Sequence, residues 1–133
     1  MCIRDRLAAD GRPTVYVARS IAELVELVRE TCEPAVVAID IPIGLPDTGG
    51  RGADAEARRQ LVGRGSTLFS TLTRSAYEAE TYEAARAANL AATSDRASAS
   101  AQAYALRARI LDVDAWVRSG PGPVVVELSL IHI

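Results

Sequence analysis

Ala35-Val36-Val37-Ala38-Ile39-Asp40-Ile41 is the stretch whose reading decides the fold. It is a nearly continuous apolar run rich in β-branched residues, the pattern of a strand covered on both faces of a largely parallel sheet. Residues 35–41 are therefore predicted to form an interior strand. Upstream, Thr14-Val15-Tyr16-Val17-Ala18 is β-branched and aromatic and follows the turn-forming Asp10-Gly11-Arg12-Pro13, which predicts a strand of the same sheet. Between the two strands, Ser20-Ile21-Ala22-Glu23 reads as a capping box. Ile21, Leu24, Val25 and Val28 then fall at helical spacing, so a helix is expected to about Glu30.

Downstream, Pro42-Ile43-Gly44-Leu45-Pro46 is a rigid loop, and a Gly-rich turn leads to a predicted helix over residues 53–62, closed by Gly63. Residues 64–74 read as extended. Two more helices are predicted over 79–92 and 100–118, the second with Leu106, Ile110, Val113 and Val117 on one face. Gly120-Pro121-Gly122-Pro123 ends it, and Val124-Val125-Val126-Glu127 begins a further strand. The order β-α-β-α-α-α-β indicates an α/β protein, and no internal repeat is present.

A chain of 133 residues fits one domain. With 49% hydrophobic and 24% charged residues it is too apolar for disorder. The net charge of −2 supplies no global positive field, so nucleic acid or a phosphate-containing small molecule would have to be held by a local patch. All 15 basic residues are arginine, a bias that reflects the base composition of the gene more than a demand for guanidinium chemistry. Cys2 and Cys32 make neither a disulfide framework nor a zinc site, and a reducing cytoplasm is the expected location. No apolar run reaches the roughly 18 residues of a membrane span, and the start lacks the apolar core of a signal peptide. Composition carries no signal for oligomeric state.

Both ends look foreign. Met1-Cys2-Ile3-Arg4-Asp5-Arg6 and Leu128-Ser129-Leu130-Ile131-His132-Ile133 resemble translated sequencing-adapter remnants, so the domain is expected to run over residues 7–127 and to be truncated. Setting the ends aside removes Cys2 and His132, and with them any Cys-His nucleophile or histidine metal site.

Asp40 is the most informative polar residue, because a carboxylate at the C-terminal end of a buried strand must be hydrogen-bonded, paired or metal-bound. It either ties down the Pro42 loop by accepting backbone N–H groups or belongs to a site. Glu127 repeats the position at the end of another apolar strand. Two carboxylates on neighbouring strand ends can hold a hard cation, whereas a lone edge glutamate faces solvent. Arg51, Arg58, Arg64 and Arg74, with Ser66, Thr67, Ser70 and Thr71, can form a phosphate-contacting rim, while Arg59 reads as part of a solvated helix face. No phosphate-cradling glycine loop and no CxxC pair is present.

Ile39-Asp40-Ile41-Pro42-Ile43-Gly44-Leu45-Pro46, with Arg51, Asp54, Ala57-Arg58-Arg59, Phe69, Thr71 and Arg74, resembles the family called domain of unknown function 429. The likeness covers residues 12–127 and takes in Tyr82, Asn89, Gln102, Ile110 and Asp114. It implies a ribonuclease-H-like fold, here truncated, with a central, mostly parallel sheet and flanking helices. It also implies a metal-dependent nuclease or phosphoryl hydrolase acting on phosphodiesters. Asp40 and Glu127 would be the catalytic carboxylates and the ligands of Mg²⁺ or Mn²⁺, and Arg51, Arg58, Thr71 and Arg74 would meet the substrate.

The sequence departs from the family pattern in four places. An opening strand of the Gly-Val-Asp-Gly type is missing before residue 7. The Glu-Val-His-Pro-Glu segment breaks off after Glu127. The Val-Phe-Pro-Thr-Pro stretch is Leu68-Phe69-Ser70-Thr71-Leu72, and the lysine before Ile110 is Arg109. With two carboxylates missing, this chain is expected to be inactive as it stands. The alternative is a non-catalytic module that binds an anionic ligand or a protein partner.

Overall fold

Local patterning is realised closely in the first helix. The computed structural model of the protein describes residues 2–7, 13–61, 70–94 and 98–128. Helix α1 (Ile21–Arg29) starts at Ser20, whose hydroxyl accepts the Glu23 N–H at 3.2 Å. Glu23 reaches back to the Arg19 N–H at 2.7 Å, one residue before the position a capping box uses. Ile21, Leu24 and Val25 are buried, each contributing about 1.5–3 kcal/mol of transfer free energy.

Two strands precede α1. Strand β1 (Cys2–Leu7) pairs antiparallel with β2 (Pro13–Ala18), from Cys2 opposite Ala18 to Leu7 opposite Pro13. Val15 and Val17 are exposed, while Tyr16 and Ala18 pack with α1. After α1 comes β3 (Val36–Ile39), which pairs in parallel with β4 (Val124–Glu127). The helices α2 (Gly52–Gln60), α3 (Arg74–Glu78), α4 (Tyr82–Ala92), α5 (Ala101–Ala105) and α6 (Arg107–Arg118) lie between these two strands in the chain.

The protein is thus a mixed α/β structure with a short parallel sheet, and three sequence expectations need correction. Residues 35–41 give only Val36–Ile39 as strand, with β4 its sole hydrogen-bonded neighbour among the described residues. That strand is not interior. Ile39 is buried but Val36 is 55% exposed, because only one face of the β3–β4 ladder packs on a core. Residues 14–18 belong to the separate β1–β2 sheet. Apolarity marks a strand and leaves its ladder partner open.

The helix expected over 79–92 is one helix that starts at Tyr82, and the one expected over 100–118 divides at Leu106. Thr81 caps α4 by accepting the Ala84 N–H, and Ser100 caps α5 by accepting the Ala103 N–H, each cap setting its own starting point. Leu106 stands at the joint between α5 and α6 and is exposed, so the apolar face of α6 is Ile110 and Val113 with Val117 partly buried. Gly120 and Gly122, both at positive φ, carry the turn into β4, a conformation that glycine adopts without strain. Residues 10–12 of the turn expected at 10–13, the closing Gly63 and most of the extended segment 64–74 lie outside the described residues.

Two apolar clusters hold the elements together. One joins β2, α1 and β3 to Val113 of α6; the other joins Leu45, Leu72, Ala76, Tyr77, Ala85, Ala103 and Ile110, and Ile41 packs on both. The Ile21 N–H donates to Asp112 of α6 at 2.9 Å, which fastens the start of α1 to that helix. No described helix is long and apolar enough to cross a membrane.

Candidate functional site

The parallel register of β3 and β4 builds the site. Ile39 stands opposite Glu127, and the Leu128 N–H donates to the Ile39 carbonyl at 2.8 Å, so Asp40 follows directly at the same edge of the sheet. Both carboxylates therefore belong to the C-terminal ends of neighbouring parallel strands, where open α/β sheets place ligands. Their surroundings differ. Asp40 is exposed and accepts no hydrogen bond from the described residues, so it neither ties down the Pro42 loop nor incurs the desolvation expected of a buried acid. Glu127 takes that structural role: its Oε2 accepts the Ile43 N–H at 2.9 Å and a short hydrogen bond from Arg51 Nη2.

Arg51 is the centre of a buried polar node. It is the N-cap residue of α2, and its side chain is 7% exposed. Nη1 donates to Thr71 Oγ1 at 3.0 Å and lies 3.3 Å from Asp54 Oδ1. Asp54 Oδ2 in turn accepts the Thr71 N–H at 2.8 Å. A buried guanidinium must be both neutralised and hydrogen-bonded, and Glu127, Asp54 and Thr71 do both.

The extended segment after Ser70 has no sheet partner, yet four successive N–H groups are satisfied from different parts of the chain. Thr71 donates to Asp54, Leu72 to the Tyr77 hydroxyl at 3.2 Å, Thr73 to Asn89 Oδ1 at 2.9 Å, and Arg74 to the Pro46 carbonyl at 2.9 Å. Side chains thereby replace a β ladder and fix this segment against the loop that follows β3. Burial pushes the Tyr77 hydroxyl above its ordinary pKa and the Asp54 charge adds to the rise; the Leu72 N–H and Arg51 oppose it.

Arg58 lies on the exposed face of α2 and makes a short hydrogen bond to Ser70 Oγ, beside Thr71. Arg74 points its guanidinium elsewhere. It grips Asp114 of α6 through Nη1 at 2.5 Å and Nη2 at 3.1 Å, with Asp47 at 3.4 Å. The Asp114 hydrogen bond holds the Arg74 pKa above its usual value against desolvation. The pair forms one wall of an open groove of about 600 Å³ that also includes Glu78, Leu111 and Arg118.

Of the sequence-selected residues, Glu127, Arg51 and Thr71 meet in one node, Arg58 reaches it through Ser70, the Arg74 guanidinium is engaged by Asp114, and Asp40 follows the strand partner of Glu127 but makes no contact with the node among the described residues. Sequence reasoning missed what Asp54 and Tyr77 do. The i, i+3 spacing of Arg51 and Asp54 at a helix start could have found the first, whereas nothing local marks a tyrosine hydroxyl as the acceptor for Leu72.

Carboxylate oxygens are the donors that hard divalent cations take. Asp40 is open, and Glu127 Oε1 accepts no hydrogen bond from the described residues. Among those residues there is no group of three or more His, Cys, Asp and Glu side chains that could enclose a metal ion.

The model of the family described as Protein of unknown function (DUF429) matches residues 2–128. No curated protein and no solved structure gives a significant match to the chain. The chain belongs to the DUF429 family.

Proposed function

We propose that this member of the DUF429 family has a ribonuclease-H-like fold and carries the site of a divalent-cation-dependent hydrolase acting on phosphodiesters in the cytoplasm. The single observation behind the reading is the register that ends β3 and β4 together, with Ile39 opposite Glu127 and Asp40 the next residue of the chain. Asp40 and the free oxygen of Glu127 would hold Mg²⁺ or Mn²⁺, and a bound ion supplies Lewis acidity and a lowered pKa for its water. The chain's own residues prepare the place. The Ile43 N–H and Arg51 fix the Glu127 carboxylate, and the segment 71–74 is pinned to Asp54 and to the loop that follows β3.

An anion-binding module has less support. Arg51 and Arg74 are each held by a carboxylate within the protein, which leaves Arg58 alone of the three for a phosphate and no arginine rim. Arg58 is the most exposed of the three, so it is the one assigned to the substrate phosphate, with Thr71 behind it.

Two carboxylates hold Mg²⁺ weakly, so the chain itself is expected to show little or no hydrolysis of single-stranded or duplex nucleic acid or of small phosphodiesters. A version restored at both ends, with a Gly-Val-Asp-Gly strand upstream and the Glu-Val-His-Pro-Glu segment continued after Glu127, is expected to hydrolyse one of them with Mg²⁺ or Mn²⁺. Its Asp40→Asn derivative should lose about a hundredfold or more while remaining folded. Equal activity with and without the Asp40 carboxylate would remove that residue from the mechanism. Inactivity of the extended version on every substrate would turn preference to the binding module.

A further inference from the structure

Helix α2 differs from the other helices in how it is held. None of its nine residues is buried, and none of its side chains enters either apolar cluster. A short helix in a protein is ordinarily held by an apolar face against a core, since helices of fewer than about 12 residues are marginal by propensity alone. We infer that α2 is a hinged lid over the C-terminal end of β4, kept shut by a polar latch centred on Arg51, and that it opens without unfolding the domain around it. The inference needs no bound ion and stands apart from the hydrolase reading.

Three observations carry it. The hydrogen bonds and ion pairs that tie α2 and its N-cap to other described elements all fall on Ser70, Thr71 and Glu127. Arg51 donates to Glu127 and to Thr71 Oγ1 at 3.0 Å, Asp54 accepts the Thr71 N–H at 2.8 Å, and Arg58 donates to Ser70 Oγ. The entry to the helix is built as a pivot. Gly49 is fixed, its N–H donating to the Ala92 carbonyl of α4 at 2.9 Å, whereas a Cβ on Gly50 would meet nothing within 4 Å, so the chain has room to turn there. Finally, the latch is made of charges. When α2 lifts, Arg51, Asp54 and Glu127 regain the hydration they lost on burial, which keeps the cost of opening below that of global unfolding. Opening uncovers the Glu127 carboxylate and the Thr71 hydroxyl together, at the strand ends where open α/β sheets place ligands.

The test is hydrogen–deuterium exchange of the purified full chain, read by mass spectrometry in peptides from α2 and, for reference, from α1 and α4. In the wild type the α2 amides are expected to exchange at least about tenfold faster than those of α1 and α4. Arg51→Gln, which removes the charge of the latch, should raise α2 exchange by about another tenfold and leave the two reference helices unchanged. Gly50→Ala, which the open space around Gly50 accepts and which narrows the pivot, should slow α2 exchange by about two- to fivefold. Should Arg51→Gln fail to fold, the wild-type and Gly50→Ala profiles decide the matter. Exchange of α2 in step with α1 and α4 in the wild type, unchanged α2 exchange in a folded Arg51→Gln protein, or no slowing in Gly50→Ala would each overturn the hinged lid.

Discussion

A hydroxyl group carries one of the more consequential contacts in the protein. Tyr77 is buried and its oxygen accepts the Leu72 N–H, so Tyr77→Phe leaves that donor without an acceptor. The expected loss is about 1–3 kcal/mol in urea denaturation. A pH dependence accompanies it. Because folding raises the Tyr77 pKa, its contribution is intact below the unfolded value near pH 10 and declines as pH rises through the higher folded value. Wild-type stability should therefore fall above about pH 10 more steeply than that of Tyr77→Phe; parallel curves would show that the hydroxyl is not held as described. The two acids of the candidate site teach a related lesson. Asp40 and Glu127 occupy equivalent places in sequence, at the ends of apolar runs, yet one is open and the other is tied to Arg51 and Ile43. Which acid became the anchor depended on where the side chain of Arg51, 76 residues away from Glu127, came to lie.

Among the elements, α1 was the most legible, since its cap, its periodicity and its buried face all lie within a dozen consecutive residues. Ser20→Ala should cost about 1 kcal/mol, measured by thermal or denaturant unfolding, through loss of the acceptor for the Glu23 N–H. The short α3 is a different case. Five residues cannot sustain a helix by propensity, and Arg74 at its first position secures it to α6 through Asp114. Arg74→Ala leaves the buried Asp114 with only Arg118 at 4.0 Å, and a loss of about 2 kcal/mol is expected, since Arg74 is partly solvated and the pair partly screened. A change within 0.5 kcal/mol, set against the same denaturant series, would mean that α3 is held by Ala76 and Tyr77 alone. The boundaries of the helices predicted over 79–92 and 100–118 also belong to this scale. Alanine-rich composition favours helix everywhere in that region, so the starts after Thr81 and Ser100 follow from caps whose hydroxyls find specific N–H groups.

Across the whole molecule, β2 and the β3–β4 ladder each bury one face and leave valines on the other. Ile39→Ala should cost about 2–4 kcal/mol, since the side chain is enclosed between α1 and α6, whereas Val124→Thr on the open face of the same ladder should change stability by about 0.5 kcal/mol or less. Comparable losses at both positions would show that the open face is covered in solution. The sequence by itself determined where the strands and most helices lie, which family the chain resembles, and that residues 39–46 and Glu127 stand at strand ends. Those features are written in local periodicity, capping residues and turn chemistry. Only the tertiary structure decided that 14–18 and 36–39 pair in separate ladders, that Arg51 is clasped by two carboxylates and not presented to solvent, and that residues 71–74 are held by side chains from three helices and a loop. Strand pairing and burial of charge are set by which distant segments pack together, and a single chain's pattern of apolar and polar residues leaves many such pairings open.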